Sequence, residues 1–397
     1  LKEEEKVIPS YYEFFCPVKI CSGHKALTHL GYEMDQLGVS KALVITDKGV
    51  VGAGLMKHVN SALEGEKASV AAVYDDTPPD SSNRVVNEVA QIYRDKGCDC
   101  ILAVGGGSAI DTAKGVNIVI SEETDDLMKF QGSDCLTKPM RPFIVIPTTA
   151  GTGSEVTMAA VIRNVDAEVK MPFMSDKLYP DLTILDPKMT MTMPAKITAA
   201  TGMDALTHAI EAYYCLQKNP LSDAFATKAV ELIFNYLPTC TEKGDDADAR
   251  LAMANAALMA GIAFSNSMVG IVHALAHASG GVCHVPHGVA NSILLPWGME
   301  QNLKKAASPI GELAMYMGIK DLPNTPKKRA EAAIQAVRDL AENLKKLSGL
   351  PTTLKDAGVP EDKLEQIAKT AINDGSSIYN PEDVTYKHAL AVLKKAY

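Results

Sequence analysis

From Leu251 to Met299 the chain contains no Asp, Glu, Lys or Arg. A run that long without charge has to be buried, either in lipid or in a protein core. It also carries Asn255, Asn266, repeated Gly and Pro, and four histidines, so it reads as a pair of core helices rather than a membrane span. Polar groups in a core need partners, which turns attention to the stretch VGIVHALAHASGGVCHVPHG (269–288). It holds His273, His277, His284 and His287, four of the chain's nine histidines. His273 and His277 are four residues apart, one above the other on a helix face. Upstream, TGMDALTHAIEAY places Asp204 and His208 at the same spacing. His287 follows Gly280, Gly281 and Pro286, where the chain can turn back. Two helices and a loop can thus aim three imidazoles and a carboxylate at one point, a donor set suited to a divalent ion such as iron or zinc. A single histidine on an apolar helix is ordinarily a satisfied core residue. Clustering inside a charge-free run is what favours a metal.

The first half alternates β-rich runs with helical patterns. ALVIT (42–46), SVAAVY (69–74), CILAV (100–104) and RPFIVIP (141–147) read as strands, and 54–65 and 84–96 as helices between them. Strand followed by helix, repeated, is the pattern of a parallel sheet with crossover helices. After CILAV comes Gly105-Gly106-Gly107-Ser108, opening a helix near Ala109. Glycines let a backbone approach a pyrophosphate, and a helix N-terminus supplies free N–H groups and a partial positive charge. The sequence is not G-x-G-x-x-G, since Ile110 takes the last glycine's place. A second turn, TTAGTGSEVT (148–157), follows another strand and offers Thr148, Thr149, Thr152 and Ser154. Both turns fall at the carboxyl ends of strands, where ligands bind in such sheets. Asp47 ends the first strand, where a carboxylate accepts from ribose hydroxyls and repels a 2′-phosphate, favouring NAD over NADP. Its plainer role is a helix N-cap.

Around Pro187 to Pro194 the character changes, and beyond it the segments 195–216, 221–236, 249–266, 269–280, 302–318, 327–347 and 361–372 read as helical. The expectation is an α/β unit over 1–188 and an all-helical unit over 189–397. The chain has 397 residues, enough for two domains. A net charge of −9 and the lack of a basic stripe argue against nucleic acid. The eight cysteines include no C-x-x-C pair, which favours reduced thiols in the cytoplasm. LKEEEKVIPS lacks an apolar core, so no secretory signal is expected.

The stretches GGGSAIDTAKG, PTTAGTGSEVT, TGMDALTHAIEAY, HALAH and HVPHGVANSILLP together resemble the iron-containing (group III) alcohol dehydrogenases, a family within the dehydroquinate-synthase-like fold. The likeness runs from YYEFFCPVKICSG to NDGSSIYNPEDVT. It implies an N-terminal α/β nucleotide domain with a parallel sheet, a C-terminal all-helical metal-binding domain, and an active site in the cleft between. It places metal ligands on Asp204, His208, His273 and His287, with Fe²⁺ as the ion and Zn²⁺ as the alternative. His277 matches the family's further active-site histidine, associated with proton transfer. Cofactor positions match Asp47, Gly106, Gly107, Ser108, Asp111, Thr148, Thr149, Thr152 and Lys170, and Phe264 matches an aromatic beside the substrate. The turn TPPDS (77–81), Met158-Ala159 and Glu382 depart from common family patterns.

The resemblance implies interconversion of a small primary alcohol or diol and its aldehyde with NAD(H), the metal acting as a Lewis acid, in a homodimer or larger homo-oligomer with no membrane or nucleic-acid partner. A reductase of an anionic carboxylate or sulfonate aldehyde is the alternative, and a dehydroquinate-synthase-like lyase a further one. Both need cations near the metal; 251–299 supplies none, which leaves Lys170 and the 383–395 tail as the source for either.

Overall fold

The structure, a computed structural model, describes residues 8–79, 81–166 and 169–397. The chain forms two units, one of Cys16–Met193 and one of Pro194–Tyr397 joined by the segment ending at Phe15.

In the first unit the described residues form nine strands in two sheets. They are β1 (Lys19–Ser22), β2 (Lys41–Ile45), β3 (Ser69–Tyr74), β4 (Cys100–Gly105), β5 (Gly132–Ser133), β6 (Phe143–Pro147), β7 (Ala159–Asn164), β8 (Val169–Met174) and β9 (Leu182–Leu185). The helices are α1 (Leu30–Gln36), α2 (Lys48–Gly52), α3 (Met56–Ala62), α4 (Asn83–Asp95) and α5 (Gly107–Ser121). The larger sheet runs β1-β9-β6-β4-β2-β3, and its pairings are parallel. Its inner strands β2, β4, β6 and β9 are near-continuous buried runs because both faces are covered. Val44, Leu102 and Ile144 share one row and one face with Leu182. Leu43, Ile101 and Phe143 face the other way, into the core that holds Val86, Val89 and Ile110. The chain leaves β2 toward β3, then crosses back to β4 and continues to β6. The order therefore reverses between β2 and β4, and the carboxyl ends there flank a crevice suited to ligands. The smaller sheet is β5-β8-β7, with β7 and β8 antiparallel. The sequence pattern does not anticipate it.

The second unit is helical: α6 (Ala195–Tyr214), α7 (Pro220–Glu242), α8 (Ala247–Ser267), α9 (Ile271–Cys283), α10 (His287–Tyr316), α11 (Pro326–Ser348), α12 (Leu364–Ala371) and α13 (Tyr386–Ala396). Helix α7 starts on a reciprocal Asn219/Ser222 cap with Pro220 in its first turn, which satisfies N–H groups the helix leaves open. The charge-free run becomes α8, α9 and the start of α10. Helices α8 and α9 are bent by 104° relative to each other, and no single helix among the described residues is long and apolar enough to cross a membrane.

The boundary differs from the expected 1–188 and 189–397. Residues 8–15 join the helical unit, where Phe14 stacks on Phe225 with ring centroids 5.9 Å apart and the Phe15 N–H donates to Asn266 Oδ1 at 2.7 Å. Leu1–Val7, where no secretory signal is expected, lie outside the described residues.

Candidate metal centre and nucleotide cradle

Asp204, His208 and Glu211 lie at successive turns of α6, on one face. His273 comes from α9, and His287 is the first residue of α10. The sequence reading put His287 in a loop. It opens a helix instead, because His284 takes a left-handed conformation at φ 58 and Pro286 precedes the first turn. Helix α10 approaches α6 closely at this point. A Cβ on Gly288 would lie 2.5 Å from the Ala200 carbonyl oxygen, so only glycine allows the contact that brings His287 beside Asp204.

Ligand atoms from Asp204, His208, His273 and His287 all lie within 4.8 Å of one another. His287 Nε2 is 3.4 Å from Asp204 Oδ1. The rings of His208 and His273 stack with centroids 4.5 Å apart. The Asn291 amide, one turn after His287, donates to Asp204 Oδ1 at 2.6 Å and reaches His273 Nε2 at 3.2 Å and His287 Nε2 at 3.1 Å. Lone pairs of a carboxylate and two imidazoles therefore point to one small region.

The electrostatics suit a cation. Burial, with His208 and His287 beside it, drives the His273 pKa well below its ordinary value, so the ring is neutral and free to ligate. Burial works to raise the Asp204 pKa, but His208, His287 and His273 outweigh it and the carboxyl ends up lowered. A neutral His273, two further imidazoles and one carboxylate pressed together in a largely buried site fit a divalent transition metal.

Glu211 is a functional residue the sequence reading missed. It is fully buried. Its carboxylate accepts the His273 Nδ1–H at 2.6 Å, the Val272 N–H at 2.9 Å and the His273 N–H at 3.2 Å, and the Tyr214 hydroxyl at 2.9 Å. It fixes the His273 tautomer that leaves Nε2 for a metal. Burial pushes its pKa up, and the N–H groups at the start of α9 and the Tyr214 hydroxyl work against that shift. Its signal was present in THAIEAY, one turn beyond His208. Asn291 was readable in the same way, at four residues past His287. Asp374 was not: it lies far along the chain and bonds His277 Nδ1 at 2.9 Å.

His277 sits at the rim rather than among the ligands. Its side chain is 46% exposed, against 3% for His273, and its ring stacks on His287 with centroids 5.3 Å apart. Phe264 of α8 covers the His208 ring at 4.3 Å.

In the α/β unit the expected cofactor residues gather at the ends of three adjacent strands. Asp47 follows β2, Gly105 ends β4 with Gly106 to Ser108 after it, and Thr148 to Thr152 follow β6. The Thr148 N–H donates to the Gly105 carbonyl at 3.0 Å. A Cβ on Gly106 would lie 3.1 Å from Thr149 Oγ1, and one on Gly107 would lie 3.0 Å from the Thr152 methyl. These glycines thus let two turns pack together as well as keeping the start of α5 bare. No side chain caps α5 at Gly106, which leaves N–H groups for an anion. Asp47 caps α2 through Oδ1, accepting from the Val50 N–H at 3.0 Å, and a Cβ on Gly105 would lie 3.6 Å from its Oδ2. The cap role and a place beside the glycine turn coexist. Ser108 Oγ donates to the Pro79 carbonyl, which ties the 77–81 turn to α5; Asp80 of that turn lies outside the described residues.

Asp111 and Lys170 differ from the rest. Asp111 accepts from Ser154 Oγ at 2.9 Å and the Val161 N–H at 3.1 Å, so both oxygens hold protein groups. Lys170 is exposed on β8, in register with Arg163. Lys114, unmentioned by the sequence reading, is completely buried. It donates to the Ser154, Thr157 and Ala159 carbonyls at 2.8, 2.7 and 2.8 Å, which clamps the threonine-rich turn to α5.

Comparison with known proteins agrees with this geometry in both units. The family described as iron-containing alcohol dehydrogenase matches residues 17–187, and its C-terminal counterpart, the Fe-containing alcohol dehydrogenase family, matches 198–397. The chain is 36% identical over 383 residues to the NAD-dependent methanol dehydrogenase of Bacillus methanolicus, covering 96% of this chain and 99% of that one. It is 36% identical over 388 residues to the 1,3-propanediol dehydrogenase of Klebsiella pneumoniae, covering 97% and 99%. A crystal structure of a 1,3-propanediol oxidoreductase superposes with a TM-score of 0.93 at 36% identity, covering 98% of this chain and all of that one. With both halves matched and the metal-type donor set assembled, the chain belongs to the iron-containing alcohol dehydrogenase family.

Proposed function

We propose that this protein interconverts a small primary alcohol or diol and its aldehyde with NAD(H). The observation that carries the proposal is the convergence of Asp204, His208, His273 and His287 on one point. A metal held there supplies Lewis acidity toward a substrate oxygen. Fe²⁺ is the ion we assign, from the family; the same donors suit Zn²⁺. The chain's own residues do the rest. Glu211 holds the His273 ring in its ligating tautomer, Phe264 lines the site over His208, and His277 lies at the rim, where a proton reaches solvent.

Asp47, Gly106, Gly107, Ser108, Thr148, Thr149, Thr152 and Lys170 are the residues we assign to the cofactor, with Asp111 supporting the threonine-rich turn through Ser154. Asp47 favours NAD over NADP, because its carboxylate would meet a 2′-phosphate. The relatives act, by their names, on methanol and on 1,3-propanediol, and the charge of this site favours neutral substrates like these. Asp204, Glu211 and Asp374 surround the imidazoles, while 251–299 offers no cation for an anionic aldehyde. We further assign the protein to the cytoplasm as a homodimer or larger homo-oligomer, without membrane or nucleic-acid partners; light scattering of the purified protein tests the assembly.

The test of activity is anaerobic purification, loading with Fe²⁺ or Zn²⁺, and NADH absorbance with a panel of short alcohols, diols and aldehydes. Turnover with neutral C1–C4 substrates supports the proposal. A loaded, folded protein that leaves NADH and NAD⁺ unchanged across the panel overturns it.

A further inference from the structure

His277 and Asp374 are 97 residues apart in sequence, yet their side chains meet at 2.9 Å, Nδ1 to Oδ2. Asp374 is held from its other side. Its Oδ1 accepts the Ser376 N–H at 2.9 Å, as the cap of the short turn Gly375–Tyr379. An ionised carboxylate only accepts hydrogen bonds. The proton between the two side chains therefore sits on His277 Nδ1, so in the neutral ring it is Nε2 that carries the lone pair. The ring is fixed in direction as well, stacked on His287 at an interplanar angle of 13° and edge-on to His273 at 6.0 Å between centroids. Burial works to raise the Asp374 pKa, but His277 and the Ser376 groups outweigh it and the carboxyl stays ionised.

We propose that Asp374 is a positioning residue for the proton transfer of this enzyme, locking His277 in the tautomer and orientation that present Nε2 to the substrate hydroxyl. The inference rests on the alcohol–aldehyde reading of the site. In the oxidative direction the alcohol carbon gives a hydride, two electrons and one proton, to the nicotinamide, so NAD⁺ becomes NADH. The hydroxyl proton goes to His277 Nε2, forming an N–H bond, and leaves from the exposed ring to water, which regenerates the neutral imidazole. Asp374 keeps its own charge throughout and stabilises the transient imidazolium, as the buried carboxylate does in a serine-hydrolase triad. Reduction runs the same steps backward.

The experiment uses the full-length, metal-loaded protein with Asp374→Ala, Asp374→Asn, Asp374→Glu and His277→Ala, alone and combined. An asparagine turned to keep the Ser376 bond offers its N–H₂ to Nδ1 and selects the wrong tautomer. Asp374→Asn is therefore expected to lower kcat by about 10²-fold or more, with KM for NAD⁺ and bound metal unchanged, and Asp374→Glu to recover most of the loss. In the His277→Ala background the Asp374 substitutions should cost nothing further. Equal losses in both backgrounds make Asp374 a loop cap only and overturn the proposal, as does wild-type turnover by Asp374→Asn. A second readout needs no activity. The ¹⁵N shifts of the His277 ring, assigned by difference from His277→Ala, should show a protonated Nδ1 in the wild type and a protonated Nε2 in Asp374→Asn. A wild-type protein inactive on every alcohol sinks the reading of function, while the ring shifts still decide the tautomer. An Nε2–H ring in the wild type sinks this inference alone.

Discussion

At the scale of single residues, Glu211 bears on the metal more than its distance from it suggests. It is a buried carboxylate with every bond supplied by a donor: two backbone N–H groups, one imidazole N–H and one hydroxyl. A glutamine there must turn an N–H₂ toward at least one of those donors. That leaves a buried donor unpaired, at about 1–3 kcal/mol, and removes the charge that holds Nδ1–H on His273. Glu211→Gln is thus expected to weaken metal binding by about 10- to 100-fold, measured by competition against a chromophoric chelator. An unchanged affinity would show that the ring is held by packing alone. Glu155 illustrates the opposite cost. It is 2% exposed, and burial, opposed by its own backbone N–H and Lys114, raises its pKa from 4.5 to about 7. The folded pKa is the higher one, so the stabilisation is complete below pH 4.5 and is lost as pH rises through 7. Glu155→Gln lacks that loss. Its stability relative to wild type should improve on the order of 1–3 kcal/mol between pH 4.5 and 8, read from urea midpoints at each pH. A constant difference would mean that Glu155 titrates normally.

At the scale of elements, the metal centre depends on how α6, α9 and α10 cross. Gly288 lets α10 start against the α6 backbone. Its absent Cβ would lie 2.5 Å from the Ala200 carbonyl oxygen and 2.9 Å from the carbonyl carbon, and backbone there has nowhere to move cheaply. Gly288→Ala should cost about 1–3 kcal/mol through overpacking and separate His287 from Asp204, so both the melting temperature and the metal content should fall. Full metal occupancy in the variant would show that α10 can shift without losing the site. The same crossing explains what the sequence disclosed and what it hid. The strands ending at Ile45, Tyr74, Gly105 and Pro147 were legible, because a sheet covered on both faces needs unbroken apolar runs. Asp204, His208, His273 and His287 were legible as types and spacings. The helix beginning at His287 was not, since Gly280, Gly281 and Pro286 read as a turn when their neighbours are unknown. The β7–β8 hairpin was hidden for a related reason: Ile162, Met171 and Phe173 are buried only once the α5 core exists to receive them. Asp374 was hidden because nothing local marks a partner 97 residues away.

At the scale of the whole molecule, the residues proposed for the metal and those proposed for the cofactor belong to different units of the chain, and this makes a thermodynamic prediction. Asp204, His208, His273 and His287 all belong to the helical unit, so a metal bound there stabilises that unit against unfolding. The chain's one tryptophan, Trp297, lies on α10 with the Arg338 guanidinium 4.5 Å over its ring, ten residues from His287 on the same helix. Its fluorescence therefore reports the unit that holds the metal. A ligand at 100 times its Kd that binds only the folded state adds about 2.7 kcal/mol. For a unit of this size that moves the midpoint by roughly 5–11 °C. Chelation should lower the Trp297 transition by that amount, and restoring the metal should return it. The ligating imidazoles must be neutral and Asp204 ionised for the ion to bind, so the metal-dependent increment should shrink only once acid protonates those imidazoles in the folded protein, which for His273 lies well below its ordinary value. His273, whose pKa is lowered in the fold, pushes in the same direction without metal: its contribution is present above that value and is lost as acid protonates the unfolded chain. A Trp297 transition indifferent to chelator at neutral pH would mean that the four side chains, close as they are, do not hold an ion.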